Sequence, residues 1–588
     1  SFSRADSFYK NLTKRQGKRE ILVAFGKPIH GFIDATAMKQ KVLELSFSVW
    51  EKVMSKRKPL MHHWLNSAKS NLFKEAAVDA QGTKLNNLKF IAAVLMFVKT
   101  LKVALGNEKN VGVLLPSSSI GAIINMTLMV MGKVPVNLNY TLSPEVMEKA
   151  LKKANISQVI TSEKFLDKLN TKGFDFSQVV ADKALFMENL GKSITKANKV
   201  RSFLTAFLAP QWWIKLRYFA DVSLEDNATI LFSSGSEGDP KGIELSHKNL
   251  LTNIKQIGEL LNFHKDDVIL NSLPIFHSFG LTVTTLLPLC EGIKMVSVAD
   301  PTDGATVGKM CARHRVSILF GTSTFFRLYV RNKKFHPLML QNVRMVIAGA
   351  EKLKADVKEA FKLKFGLEIY EGYGATETAP VASVNMPNLL DPETLQEFTF
   401  NQAGTVGMPL PGTIIKIVDP ESLQELPVGE DGLILIGGGQ VMKGYLNAPE
   451  KTAEVIVEID GVRYYKTGDK GHIDHNGFIT IVDRYSRFAK VGGEMISLGS
   501  VEEKLSQVFD EETQFVAVAL SDDKKGESIV LLIKSALSLD EINERIKGLN
   551  VPPIMLPSQV FLVDEIPMLG SGKVDFKGAK NLAMSLVK

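Results

Sequence analysis

The spacing of apolar and polar positions changes several times along this 588-residue chain. From Ala35 to Met54 apolar residues recur at helical spacing, with Val42, Leu45, Val49 and Val53 on one face, so the pattern predicts an amphipathic helix. A short apolar run before it, Ile21–Phe25, ends at Gly26 and reads as a strand. Further on, Val111–Leu115, Val134–Leu138, Asn227–Phe232, Arg344–Ala348 and Leu433–Ile436 are strand-like and alternate with helix-like stretches. That alternation predicts an α/β domain from about Leu60 to Val482. Ser246 is a suitable N-cap for a helix carrying Leu250, Leu251, Ile254, Ile257 and Leu261. The apolar stretches Phe90–Val98 and Ile120–Val136 are too short or too interrupted to span a bilayer, and read as core helices. After Asp483 the texture changes, and what remains is enough for a small α+β domain. The expected division is 1–60, 61–485 and 486–588.

Composition adjusts this picture only slightly. The chain is too long for one core, and 45% apolar with 23% charged residues is ordinary for a globular protein. A formal charge of +8 and a pI near 9.0 favour anionic partners. Nucleic acid is set aside, because no helix-turn-helix, finger or RNP pattern accompanies the charge. Cys290 and Cys311 are the only cysteines and show no metal-ligand spacing, so two buried thiols in a reducing cytosol are expected. No signal peptide is visible, and a start at Ser1 rather than Met reads as a processed form or a piece of something longer.

Four segments carry candidate chemistry. Phe232-Ser233-Ser234-Gly235-Ser236-Glu237-Gly238-Asp239-Pro240-Lys241-Gly242 lies between a strand and a helix. Its glycines let main chain approach a polyphosphate, its hydroxyls and N–H groups donate to phosphate oxygens, and Lys241 adds charge. Seen alone it is equally a flexible Ser/Gly turn, and it does not end as a Walker A loop does. In Tyr370-Glu371-Gly372-Tyr373-Gly374-Ala375-Thr376-Glu377 an aromatic beside glycines suits base stacking, and Thr376 and Glu377 suit phosphate and Mg²⁺. The bland alternative is a hairpin turn with a solvated acid. Asp469, in Tyr465-Lys466-Thr467-Gly468-Asp469, can accept from ribose hydroxyls, and Arg484 offers a fixed fork of donors. Lys490-Val491-Gly492-Gly493-Glu494 follows, and Gly570-Ser571-Gly572-Lys573 places a lysine on a glycine loop near the C-terminus.

In this order and at these separations the four segments resemble the adenylate-forming superfamily of acyl-CoA synthetases, luciferases and peptide-synthetase adenylation domains, over about residues 65–588. The resemblance implies a large multi-subdomain N-terminal α/β domain with a small mobile α+β C-terminal lid, and ATP with Mg²⁺ as cofactors. It implies phosphate contacts from Ser233, Ser234, Gly235, Ser236, Gly238 and Lys241, although Glu237 stands where a threonine is usual. Gly349, Ala350 and Glu351 resemble the adenine-side segment, with Tyr373 as stacking ring beside Gly374. Thr376 and Glu377 resemble the phosphate and Mg²⁺ pair, and Asp469 and Arg484 the ribose pair. Lys573 is the implied catalytic cation. Ser486 falls at the hinge, where Asp or Lys is more usual, and rotation there exchanges Lys573 for the loop carrying Lys490. Pro274–Gly280 resembles the acyl-site lining, with His277 near the carboxylate, and Gly321–Phe325 is expected in the same pocket.

Details such as Phe276-His277-Ser278-Phe279-Gly280-Leu281-Thr282 and Phe488-Ala489-Lys490-Val491-Gly492-Gly493-Glu494-Met495 are similar to bacterial acyl-ACP synthetase, which is often fused behind a lysophospholipid acyltransferase. Residues 1–30 resemble the closing strand of that acyltransferase, and Ala35–Met54 a linker helix. Its His-to-Asp pattern at an offset of five is absent from all ten histidines, so no acyltransferase activity is expected. The implied partners are a fatty acid and holo acyl carrier protein, the latter facing Arg484, Arg487, Lys490, Lys524 and Lys525. Fatty-acyl-CoA synthetase and fatty-acyl-AMP ligase are the alternatives, with a non-catalytic carrier-protein tether as one of another class. Phe203–Leu208, Trp212, Trp213, Lys215 and Arg217 mix apolar bulk with positive charge. That composition suits peripheral contact with the cytoplasmic face of a membrane and equally a domain-packing segment.

Overall fold

The computed structural model describes residues 23–31, 35–233, 240–491, 494–510, 513–522, 526–549, 551–568 and 574–587. The loop Ser234–Asp239, Gly492–Gly493, Lys524–Lys525 and Lys573 therefore lie outside the described residues.

The expected amphipathic helix runs over Ala35–Met54. It lies against the strand Ile414–Val418, with Trp50 directly over Gly412, where a Cβ would stand 2.4 Å from the indole. Of the predicted run before it, Ile21 and Leu22 lie outside the described residues, as do residues 1–20. Val23–Phe25 is irregular, with Phe25 91% exposed, because a strand needs a ladder partner and none of the described sheets supplies one. The other five predicted strands are present, with ends displaced by one or two residues.

Nine strands form one sheet, in the order 408–409, 381–384, 369–374, 345–348, 318–321, 268–271, 294–297, 75–79 and 84–86. The six from Ile369–Gly374 to Glu75–Asp79 are parallel. Strands buried on both faces need continuous apolar runs, and Val268–Asn271, Ile318–Gly321 and Met345–Ala348 are buried throughout. A seven-stranded sheet follows the order 444–445, 241–246, 227–233, 134–137, 110–113, 159–161 and 184–186. Asn87–Leu105, Ser119–Val130 and His247–Leu261 contribute to one hydrophobic core with both sheets. Ser246 caps the last of these, its hydroxyl accepting from the Asn249 amide at 3.1 Å while the Asn249 side chain accepts from the Ser246 amide. A third, antiparallel sheet holds Ile414–Val418, Gly432–Gly437, Val462–Ile473, Ile456–Ile459 and Ile479–Arg484.

Beyond the short turn Tyr485–Arg487 a smaller α+β unit begins, with its own five-stranded sheet and two apolar clusters. The chain is thus α/β in its large part and α+β in its small one. Cys290 and Cys311 are buried free thiols, and burial pushes both up to about 12. No helix among the described residues is long and apolar enough to cross a membrane.

Candidate active site

Parallel sheets present their loops at the carboxyl ends of the strands, which is where ligands bind in open α/β folds. Here four adjacent strands each release a candidate segment at that end. Leu273–Gly280 follows Val268–Asn271, Thr322–Phe325 follows Ile318–Gly321, Gly349–Glu351 follows Met345–Ala348, and Tyr373–Glu377 continues from Ile369–Gly374. All four line one cleft of about 1970 Å³. The second sheet adds Ser233 and Lys241, which face each other across the base of the hairpin that bears the Ser/Gly-rich loop. The third sheet adds Asp469 and Arg484, and Ser486 stands at the edge.

Backbone geometry at these strand ends is demanding. Ala350 has φ of 72°, a left-handed conformation that costs a non-glycine residue roughly 1 kcal/mol. A Cβ on Gly374 would stand 1.9 Å from the Pro380 carbonyl oxygen, and one on Gly280 would stand 2.1 Å from that of Pro274. From Phe279 to Leu286 the helix is of the π type, and Thr284 and Thr285 both donate to the Gly280 carbonyl. Wide helical turns of this kind gather at functional sites.

The polar end of the cleft is a connected network. Register places Asp469 opposite Arg484 on neighbouring strands, and the Arg484 Nε donates to Asp469 Oδ1 at 3.1 Å. The Tyr373 hydroxyl donates to the other carboxylate oxygen at 2.5 Å. Burial pushes the Asp469 carboxyl above its usual range, against the opposing pull of the Arg484 charge. Burial also pushes the Tyr373 phenol well up, with the Asp469 charge acting in the same direction, so it stays a donor. Thr376 accepts from the Ser278 hydroxyl at 3.3 Å. Glu351 accepts from the Thr324 amide at 2.6 Å, which ties two strand-end loops together.

Glu377 has a partner that the sequence reading missed. The Tyr445 hydroxyl donates to Glu377 Oε1 at 2.9 Å, and the Lys241 ammonium lies 5.3 Å from the centre of the Tyr445 ring. Tyr445 reaches this place because Gly444–Tyr445 pairs with the strand Lys241–Ser246. One ring thereby links the acid after one sheet to the lysine after the other.

Away from the polar end the lining becomes apolar, with Ile257, Leu261, Leu273, Val283, Phe320 and Ile347. His277 lies on the cleft wall between Phe276 and Ser278, its ring 4.6 Å from that of Phe276. Most predicted site residues that are described thus converge on one cavity: Ser233, Lys241, His277, Gly349, Ala350, Glu351, Tyr373, Gly374, Thr376, Glu377, Asp469 and Arg484. Lys490 does not line it; it is exposed on the strand Phe488–Val491, with its amide donating to Glu527 at 2.6 Å. Ser234, Gly235, Ser236, Gly238 and Lys573 lie outside the described residues, although Val574, which follows Lys573, lines the cleft.

The expected basic face of the small domain needs correction at Arg487. Its guanidinium pairs with Glu502 at 2.7 Å and lies 3.9 Å from the centre of the Phe576 ring, so it serves the interior of the small domain. Arg484 pairs with Asp469 at the cleft, while its side chain stays 66% exposed.

A cavity with polar and apolar lining at the carboxyl ends of a parallel sheet, bordered by residues of a small C-terminal unit, is the arrangement of a two-part α/β enzyme. The chain belongs to the AMP-binding enzyme family, whose model matches residues 68–446. It is similar to the long-chain-fatty-acid–CoA ligase of Salmonella typhimurium, with 27% identity over 464 residues, covering 75% of this chain and 80% of that protein. It is 32% identical to 4-coumarate–CoA ligase 3 of rice (Oryza sativa subsp. japonica) over 363 residues, covering 60% of this chain and 64% of that one. Among solved structures, ATP-bound MatB from Rhodopseudomonas palustris shares the fold with a TM-score of 0.72 at 23% identity, covering 90% of this chain and all (100%) of that one. The AMP complex of o-succinylbenzoate CoA synthetase from Bacillus subtilis also gives 0.72, at 21% identity, covering 89% and 98%.

Proposed function

We propose that this enzyme activates a free fatty acid with ATP to an acyl-adenylate and transfers the acyl group to the thiol of holo acyl carrier protein. The observation that carries the first half is the continuity of the cleft. One cavity is lined both by Asp469, Arg484, Tyr373 and Glu377 and by the apolar side chains of Ile257, Leu261, Leu273, Val283, Phe320 and Ile347. A nucleotide and an acyl chain fit such a space end to end, with the carboxylate near His277 and Ser278.

Attack of a carboxylate on the α-phosphate brings two anions together, so fixed positive charge and donors there lower the barrier. Lys241 and the Ser233 hydroxyl flank the phosphate loop, and Asp469 with Arg484 holds the ribose. Lys573, one residue before the cleft-lining Val574, supplies the cation at the reacting carboxylate. The residues present fit Mg²⁺. Glu377 lines the cleft and offers hard oxygen, and among the described residues no cluster of three metal ligands competes with it. Such a cation is bound by one carboxylate together with phosphates, and it neutralises charge on the pyrophosphate side.

Division of the chain near Ser486 suits a lid that turns after adenylation, bringing the segment of Lys490 towards the cleft in place of Lys573. For the acceptor, the cleft mouth carries Lys164 and Lys168 on one helix and Lys577 and Lys580 on another, a rim suited to an acidic carrier. The relatives named CoA ligases make CoA the competing acceptor. A fatty acid partitions into bilayers, so peripheral membrane contact also belongs to this reading.

The test compares thioester formation with holo acyl carrier protein and with CoA at equal thiol concentration, after fatty-acid-dependent ATP–pyrophosphate exchange has been measured. Exchange with a preference for carrier protein supports both halves. Exchange with a strong preference for CoA leaves an acyl-CoA synthetase, and no exchange overturns the enzyme reading.

A further inference from the structure

The helices Lys196–Leu208 and Gln211–Tyr218 carry an apolar face turned outwards. Val200, Phe203, Leu204, Phe207 and Leu208 fall at helical spacing and are all exposed, while Ser202 and Ala206 are the residues packed inside. The stripe continues onto the second helix, where Trp212 is 65% and Leu216 79% exposed and only Ile214 is buried. Among the described residues nothing covers these side chains. The helices are attached to the rest of the described chain by their other side.

That attachment is firm. Lys196–Leu208 packs along Asn87–Leu105, and the Lys69 ammonium donates to the Ala206 carbonyl at 3.0 Å. The Lys215 ammonium donates to Asn66 at 2.7 Å. A scaffolded face of this kind is displayed rather than frayed.

Charge indicates what covers it. Between Glu188 and Asp221 the chain contains no acidic residue, but it has Lys192, Lys196, Lys199, Arg201, Lys215 and Arg217. Burial, with the charges of Arg201 and Arg217 close by, pushes the Lys99 ammonium below its usual range, so cations from three helices gather beside the apolar stripe. An apolar, tryptophan-bearing face bordered by cations matches an anionic bilayer, whose headgroups attract the cations while the side chains enter the acyl boundary. A protein partner would leave this one-signed border unneutralised unless it were acidic.

We propose that the face formed by Lys196–Leu208 and Gln211–Tyr218 docks the protein on the surface of an anionic phospholipid membrane, with Leu208, Trp212 and Leu216 inserted. The proposal extends the fatty-acid reading by supplying a surface at which an amphiphilic substrate is concentrated. Its test contains no ATP, fatty acid or carrier protein, so its outcome is independent of catalysis.

The full chain is sedimented with phosphatidylcholine vesicles prepared with and without phosphatidylglycerol. Binding to the anionic vesicles is expected, together with a blue shift of tryptophan emission, since two of the four tryptophans, Trp212 and Trp213, lie on this face. The triple variant L208S/W212S/L216S should bind at least about tenfold more weakly. The variant K199S/R201S should lose about fivefold per charge on anionic vesicles and keep its melting temperature. Equal binding by wild type and triple variant, or no wild-type binding, overturns the proposal. A wild-type dimer in light scattering that the triple variant dissolves would assign the face to a second copy instead, and overturns it equally.

Discussion

Replacing Tyr445 with phenylalanine removes one hydroxyl from the cleft and little else. In the wild type that hydroxyl donates to Glu377 Oε1 at 2.9 Å, while the ring carries the Lys241 ammonium 5.3 Å from its centre. Burial and the Glu377 charge push the phenol well above its usual range, so it remains an O–H donor at every working pH. Hydrogen bonds to charged groups contribute about 1.5–3 kcal/mol. Glu377 is half-buried, so the lower end applies, and the carboxylate then samples orientations that no longer suit a shared cation. Y445F should therefore lower kcat/KM for MgATP in fatty-acid-dependent pyrophosphate exchange about tenfold, at any assay pH. It should also raise the free Mg²⁺ needed for half-maximal nucleotide binding in a filter or calorimetric assay. Y445L, which removes the ring as well, should cost a further ~0.5–1 kcal/mol by releasing Lys241. Y445F within twofold of wild type, with Y445L strongly impaired, would refute the argument, because the ring alone would then carry the effect.

Lys573→Ala is expected to abolish exchange but largely spare acyl transfer from supplied acyl-AMP; equal loss in both half-reactions contradicts the division of roles between Lys573 and Lys490. Gly374→Ala would force a Cβ to 1.9 Å from the Pro380 carbonyl, so a loss of about 3 kcal/mol or failure to accumulate is expected, read by chemical denaturation. His247 is 2% exposed, its Nδ1 is buried without a hydrogen-bond partner, and burial pushes it down to about 4. In the unfolded chain it titrates near 6.5, so the unfolded state binds the extra proton as pH falls from about 7 towards 4 and stability is lost over that window. At pH 5 this single group costs about 2 kcal/mol. His247→Gln should therefore show a smaller drop in stability between pH 7 and pH 5 by about that amount; an unchanged drop would contradict the assignment.

What could be read from the sequence follows the range of the interactions involved. The helix Ala35–Met54 was legible because its period and ends are local properties. The site segments were legible because each strand end carries its own glycines and polar groups, and the fold merely aligns them. Tyr445 was not, since its hydroxyl is aimed by pairing with a strand two hundred residues earlier, and Gly-Tyr alone signals nothing. Arg487 turned inwards because Phe576 and Glu502 receive it, and neither is marked as a partner in the sequence. Val23–Phe25 had the right local composition for a strand but no ladder to join among the described residues.

The stripe from Val200 to Leu208 makes the same point in reverse. Its spacing is that of a core-facing helix, and periodicity reports only that one face is apolar. Which face meets the protein is decided by Ser202 and Ala206, whose small side chains allow close approach to Asn87–Leu105. An apolar stripe with a small-residue seam beside it and no acidic residue near it is therefore a different signal from the stripe alone. The combination is compatible with outward display, and the packed structure distinguishes it from an ordinary core helix.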